Sequence, residues 1–264
     1  MSLKDITLGR YVSSESTLHR LDPRTKLISL LIVMTGLFAG HGWQSIVLAG
    51  IYAVSACMLS GLPASYLFRS LLPFKWLIIM TFLLNVIFVG GHTLIEAPLP
   101  YGGITTEGFE LGLIYCSRIL ILVLMASLLT LTTQPVNLVA GVEKLLSPFS
   151  KIGLRPHEIA IAMVITIRFI PVLLDEAIKI RKSHIARGLR PESGLSARIK
   201  SISYLFLPLF TSAIRRAEEL AVAMDCRLYR TPVTRTRYND TQMTAQDWIA
   251  MLITFIFAIV MVVI

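Results

Sequence analysis

Two arginines in this chain, Arg187 and Arg227, have the chemistry and the surroundings of recognition residues. They lie 40 positions apart, in the stretches "SHIARGLRP" (183–191) and "AMDCRLYRTP" (223–232), and each stretch ends in a proline. An arginine guanidinium stays charged and can bind a carboxylate through two parallel hydrogen bonds. The sequence therefore contains two candidate points for docking onto a partner that presents carboxylates.

Each arginine also has a simpler interpretation, as the basic end of a helix. A cation in the last turn of a helix interacts favourably with the helix dipole, by about 0.3–1 kcal/mol. Gly188 would then cap the first helix, and the prolines would stop both helices. The presence of two such helix ends in one chain favours docking. Two similar helix tips, each with an arginine, suit a partner with two similar grooves, such as a pair of ATPases. The candidate docking residues are Ala186, Arg187, Gly188, Cys226, Arg227 and Leu228.

Two long helices, over about 157–188 and 197–230, must position these tips. Each has an apolar first half that contains a proline, Pro171 or Pro208, and a basic second half. A proline removes one helix hydrogen bond and bends the helix, so both prolines are candidate hinges. The alternative is that each proline only produces a fixed bend without a role in motion. Small residues allow helices to cross closely, and the candidates here are Ala213, Ala217 and Ala221.

The rest of the chain has the composition of a membrane protein. Charged residues make up 16% of the sequence, against about 25% in soluble domains, and none occurs between Leu27 and Phe68. A membrane span needs about 20 apolar residues. The sequence predicts an all-α polytopic membrane protein with about five transmembrane helices and a cytoplasmic module of amphipathic coupling helices. The predicted spans cover about 25–40, 45–60, 73–90, 108–133 and 246–264, and the predicted domains are 1–133, 134–240 and 241–264.

Charge placement predicts the orientation of these spans. Of the 25 Lys and Arg residues, 12 lie between Arg181 and Arg237, and none lies between Trp76 and Ser117. Cytoplasmic loops of membrane proteins are enriched in Lys and Arg, so we expect a cytoplasmic N-terminus, an outer loop over 92–108 and an extracellular C-terminus. The same segregation argues against nucleic acid as a partner. The basic halves of the two long helices need water and their apolar halves are only about 14 to 16 residues long, so these helices are not counted as spans. If both also crossed the membrane, the count would be seven and the predicted sides of the two termini would be unchanged.

The sequence contains no constellation that would make the chain an enzyme. It lacks the G-x-x-x-x-G-K-[ST] loop that binds nucleotide phosphates, and its five histidines are scattered. We therefore expect no catalytic residue, no metal site and no cofactor. Arg118 lies inside the fourth predicted span, where an arginine is a functional candidate; packing against Glu110, or reaching towards the membrane surface, is the alternative.

Three separated stretches give the chain a resemblance to the transmembrane T component of energy-coupling factor transporters. The stretch "STLHRLDPRTKL" (16–27) is similar to that family's N-terminal signature. The stretches "RFIPVLLDEAIKIRKSHIARG" (168–188) and "RRAEELAVAMDCRLY" (215–229) resemble the segments that end in its two Ala-Arg-Gly motifs. The second motif here reads Cys-Arg-Leu, so its groove on the partner is expected to differ from the first.

The resemblance implies a non-catalytic subunit of a prokaryotic ABC-type importer for vitamins or other micronutrients. Its expected partners are two cytoplasmic ATPases at the arginine tips, a substrate-capture membrane subunit (the S component) and membrane lipid. Closure of the ATPases on ATP would move the tips, and the apolar helix halves would carry this motion to the capture subunit. Two rival functions are a substrate-binding permease of an ordinary ABC importer and a secondary transporter.

Overall fold

The computed structural model describes residues 16–40, 42–90, 93–96, 103–188, 195–229 and 243–263. These residues form ten α-helices and one pair of short strands. The helices are α1 (Thr17–Arg20), α2 (Pro23–Ala39), α3 (Gly42–Ser60), α4 (Ala64–Leu71), α5 (Lys75–Phe88), α6 (Thr106–Thr132), α7 (Pro135–Leu146), α8 (Pro156–Ala186), α9 (Leu195–Cys226) and α10 (Ala245–Val263). The predicted all-α class is confirmed.

The chain divides into two compact units. The bundle unit comprises the described residues of Gly9–Leu145 and Thr241–Ile264, and it contains α1 to α6, α10 and all of α7 except its last residue. The long-helix unit comprises the described residues of Leu146–Asp240, and it contains α8 and α9. The arginine tips therefore both belong to the long-helix unit.

Five of the described helical segments are long and apolar enough to cross a membrane, as predicted, but their identities differ from the prediction at two places. They are Gly42–Ser60, Ala64–Phe88, Thr106–Thr132, Pro156–Ala186 and Ala245–Val263. Helix α2 is absent from this set because it has only 17 residues. Helix α8 enters it because the helix runs without a break through Pro171 for 31 residues, so its apolar part is longer than the 14 to 16 residues inferred from the sequence.

Close packing of α2 against α10 organises the bundle unit. A Cβ placed on Gly36 would lie 3.2 Å from the Cβ of Ala258, and one on Gly40 would lie 2.5 Å from the carbonyl oxygen of Met261. Glycine is therefore required at position 40, where an added Cβ would overlap backbone, and any larger residue at position 36 would fit tightly. The buried core that surrounds this contact includes Leu37, Ile46, Ala49, Ala53, Ile121, Met125, Leu128 and Met261.

The stretch "LDPRTK" begins α2 and joins three helices. Asp22 caps the helix by accepting a hydrogen bond from the Arg24 backbone N–H at 2.9 Å, and its own N–H donates to Asp247 of α10 at 2.8 Å. The Lys26 ammonium donates to the Thr132 carbonyl at the end of α6, at 3.1 Å. Lys26 is buried, and its bond to the Thr132 carbonyl connects the start of α2 to the end of α6.

The segment predicted as an outer loop contains a short antiparallel pair of strands, β1 (Thr93–Glu96) and β2 (Gly103–Thr105). The pairing satisfies backbone groups that would otherwise need water or a side chain. The adjoining Thr105 side chain accepts a hydrogen bond from the Gly108 N–H and so caps α6. The positions from 97 to 102 lie outside the described residues.

Arg118 has a partner that the sequence did not predict. Its guanidinium donates to the carbonyl oxygen of Gly40 at 3.1 Å, at the C-terminus of α2, and lies 5.7 Å from the centre of the Phe38 ring. Glu110 instead accepts a hydrogen bond from the Trp43 indole at 3.1 Å. The alternative in which Arg118 packs against Glu110 is therefore wrong, because the arginine caps a helix end.

Candidate docking site

The first tip is the C-terminus of α8, and its backbone ends in a left-handed turn. The Arg187 N–H donates to the Ser183 carbonyl at 3.1 Å, and the Gly188 N–H donates to the Ile185 carbonyl at 3.0 Å. Gly188 has a φ of 88°, a conformation that glycine adopts without steric cost. The helix therefore stops at the glycine, and Arg187 is the residue at its cap position.

The second tip, at the C-terminus of α9, has the same kind of backbone turn without a glycine. The Leu228 N–H donates to the Asp225 carbonyl at 2.9 Å, and the Tyr229 N–H donates to the Met224 carbonyl at 3.0 Å. These two bonds are the pattern of a Schellman helix end. Leu228 takes the left-handed position with a φ of 55°, and it is the one non-glycine residue with positive φ in the described part of the chain.

Both tips are open to solvent. All six predicted docking residues are exposed, and among the described residues neither Arg187 nor Arg227 has an ion-pair partner. A guanidinium without an ion-pair partner among these residues keeps N–H donors available for another molecule. The site therefore consists of two separate helix ends rather than one pocket.

One ion pair connects the two long helices at a point midway between the tips. The Arg216 Nη2 of α9 lies 3.3 Å from the Glu176 Oε2 of α8, and further along α8 the His184 ring lies 6.3 Å from the Tyr204 ring. The second contact lies later in α8 but earlier in α9, so the helices run in opposite directions where they meet.

This antiparallel contact places the tips on opposite sides of the ion pair. Arg187 is 11 residues after Glu176, and Arg227 is 11 residues after Arg216. At 1.5 Å per residue each arm is about 16 Å long. The arrangement presents two equal, oppositely directed arms, each with an exposed arginine at its end.

The predicted alanine stripe does not form the contact face of α9. Ala213 is half-buried, but Ala217 and Ala221 are exposed. The half-buried positions follow a helical period along another line, which comprises Leu205, Leu209, Ser212, Arg216, Leu220 and Met224. The candidate hinges Pro171 and Pro208 lie in uninterrupted helices, and both are exposed.

Two features of the site, the Glu176–Arg216 ion pair and the left-handed conformation of Leu228, were not predicted from the sequence, although a signal for each was present. Glu176 and Arg216 have the same 40-residue spacing as the two arginine tips. An alignment of the two segments would therefore have placed these opposite charges at equivalent positions. The same comparison sets Leu228 opposite Gly188, which marks Leu228 as the residue in a position that glycine prefers.

Comparison with known proteins assigns this architecture to one family. The family model for the cobalt transport protein CbiQ matches residues 14–238. The chain is 43% identical over 247 residues to the energy-coupling factor transporter transmembrane protein EcfT of Heliobacterium modesticaldum, which covers 93% of this chain and 92% of the relative. It is 39% identical over 259 residues, 97% of each chain, to EcfT of Thermosediminibacter oceani. It is 38% identical over 246 residues to EcfT of Bacillus subtilis, covering 93% of this chain and 92% of the relative.

Proposed function

Since the chain belongs to the family of energy-coupling factor transporter transmembrane proteins, the T components, we propose that it transmits the ATP-driven closure of two cytoplasmic ATPases to a substrate-capture membrane subunit. In this role the chain is a multi-pass membrane subunit and not itself the ATPase. The capture subunit would hold the substrate, a vitamin or another micronutrient, and lipid would surround the apolar helices.

The observation that carries this proposal is the pair of exposed arginines on oppositely directed arms. Each arginine sits at the cap position of a long helix, in the same kind of backbone turn, and about 16 Å from the shared ion pair. Two such ends suit two ATPases, each with one groove that contains a carboxylate. Movement of the ATPases towards each other would then move both arms.

The remaining parts of the proposal concern the regions around the arms. Pro171 and Pro208 are proposed hinges, at which each helix loses one backbone hydrogen bond. The proposed division is a transmembrane part over 1–133, a coupling module over 134–240 and a last transmembrane helix over 241–264. The N-terminus is proposed to be cytoplasmic and the C-terminus extracellular, in a prokaryotic cell membrane. A reporter fused after Ile264 that proves cytoplasmic would contradict this orientation.

The docking proposal is tested by truncating the arginines. An interface arginine whose carboxylate partner is left buried costs about 2–5 kcal/mol when removed, which is more than tenfold in affinity. We expect Arg187→Ala and Arg227→Ala each to weaken retention of the ATPases on the full-length chain by tenfold or more, and to lower coupled uptake accordingly. The double variant should lose both almost completely.

Two exposed arginines on the same helices supply charge-matched controls. Arg181 precedes the first tip on α8 and Arg215 precedes the second on α9, and both are exposed. Alanine at either should change ATPase binding by less than about fivefold, because exposed ion pairs contribute about 1 kcal/mol or less. Equal effects at the tips and at these controls would show that the tips are only solvated basic ends. Substrate binding by the isolated chain would instead support a permease.

A further inference from the structure

Leu228 occupies a conformation that its side chain disfavours. In the left-handed region the Cβ of an L-residue approaches the following carbonyl oxygen, so this position at a helix end is usually a glycine. The side chain gains little from its own chain in return, since Leu228 is 74% exposed. A strained backbone that presents a large apolar group to solvent indicates a role outside the isolated chain.

We propose that Leu228 is an apolar anchor, which enters an apolar pocket beside the carboxylate that receives Arg227 on one of the two ATPases. This inference rests on the proposed function and adds the chemistry of the second groove. The helix end fixes the Leu228 backbone through the bonds at Leu228 and Tyr229, so little conformational freedom remains to be lost on binding. Buried apolar anchors next to a charged partner are typical of the residues that dominate interfaces.

The first tip would fit the same groove poorly. Gly188 presents no side chain at the equivalent position, and its φ of 88° would strain any L-residue placed there. If the first tip entered the groove that binds Leu228, the apolar pocket would stay empty. If the second tip entered a groove shaped for Gly188, the leucine side chain would clash with it. The anchor therefore assigns each tip to a different ATPase groove and makes the arrangement of the complex directional.

The test separates the apolar side chain from the backbone conformation. Glycine and asparagine accept the left-handed region better than leucine but lack its apolar side chain, whereas methionine keeps an apolar side chain of similar volume. We expect Leu228→Gly and Leu228→Asn in the full-length chain to weaken binding of its transporter's ATPases by about tenfold. Leu228→Met should stay within about threefold of the unmodified chain, and the melting temperature should not fall in the glycine and asparagine variants.

The opposite result is equally specific. If the glycine and asparagine variants bind the ATPases as tightly as the unmodified chain, Leu228 is not an anchor. Arg227→Ala, measured beside them, distinguishes the Leu228 anchor from the proposed docking of the second tip. A loss with Arg227→Ala but none with Leu228→Gly would refute the anchor alone, whereas unchanged binding in both would also refute docking at this tip.

Discussion

Asp247 is the buried residue whose removal should most clearly loosen the bundle unit. It lies in the first turn of α10, is 1% exposed, and accepts three hydrogen bonds. One comes from the Asp22 backbone N–H at 2.8 Å, and two come from the backbone N–H and hydroxyl of Thr244, both at 2.8 Å. The carboxylate therefore joins the start of α2 to the start of α10, across 225 positions of sequence.

The expected cost of Asp247→Ala follows from these bonds. The Asp22 N–H is buried and would lose its acceptor, which costs about 1–3 kcal/mol. Loss of the capping contact with Thr244 adds about 0.5–2 kcal/mol, at the low end here because Thr244 is exposed and its donors can bind water. Together the two terms lower the free energy of unfolding by about 2–4 kcal/mol.

Thermal unfolding of the purified chain in detergent measures this change. A loss of 2–4 kcal/mol should lower the melting temperature by about 5–15 °C in a chain of this size. Asp247→Asn keeps an oxygen that can accept from Asp22, so it should lose about half as much. Asp175→Ala, at an exposed position of α8, is the control. If Asp247→Ala lowers the melting temperature no more than this control, the carboxylate does not join the helices.

Two further predictions concern helix contacts. Gly40→Ala should destabilise the chain by about 1–3 kcal/mol, because the added Cβ would lie 2.5 Å from the Met261 carbonyl oxygen. Gly50→Ala is the control, since a Cβ there meets nothing within 4 Å. Equal melting temperatures in the two variants would contradict the close approach. Reversing one charge of the part-exposed ion pair, by Glu176→Arg or Arg216→Glu, should change stability by about 1 kcal/mol or less but broaden the distance distribution between spin labels at the two tips. The double reversal should narrow it again, and an unchanged distribution in the single variants would show that the pair does not hold the arms.

The helical class, the number of spans and the end of the first long helix could be predicted from the sequence, because the signals that specify them are local. Charge-free runs of sufficient length indicate spans, and a glycine after an arginine marks a helix end. The first long helix was predicted to end at 188 and ends at Ala186. The second was predicted to reach 230 but ends at Cys226, because leucine at position 228 hides a turn that glycine usually marks.

The tertiary structure decided which residues meet across the chain. Lys26 is a charged residue, yet it is buried against the end of α6. Arg118 binds the carbonyl end of α2 rather than a carboxylate. Ala217 and Ala221 have the spacing of a contact face but are exposed. A spacing along one helix shows which residues share a face, but the rotation of that helix against its neighbour depends on the packing of both, and no local pattern contains it.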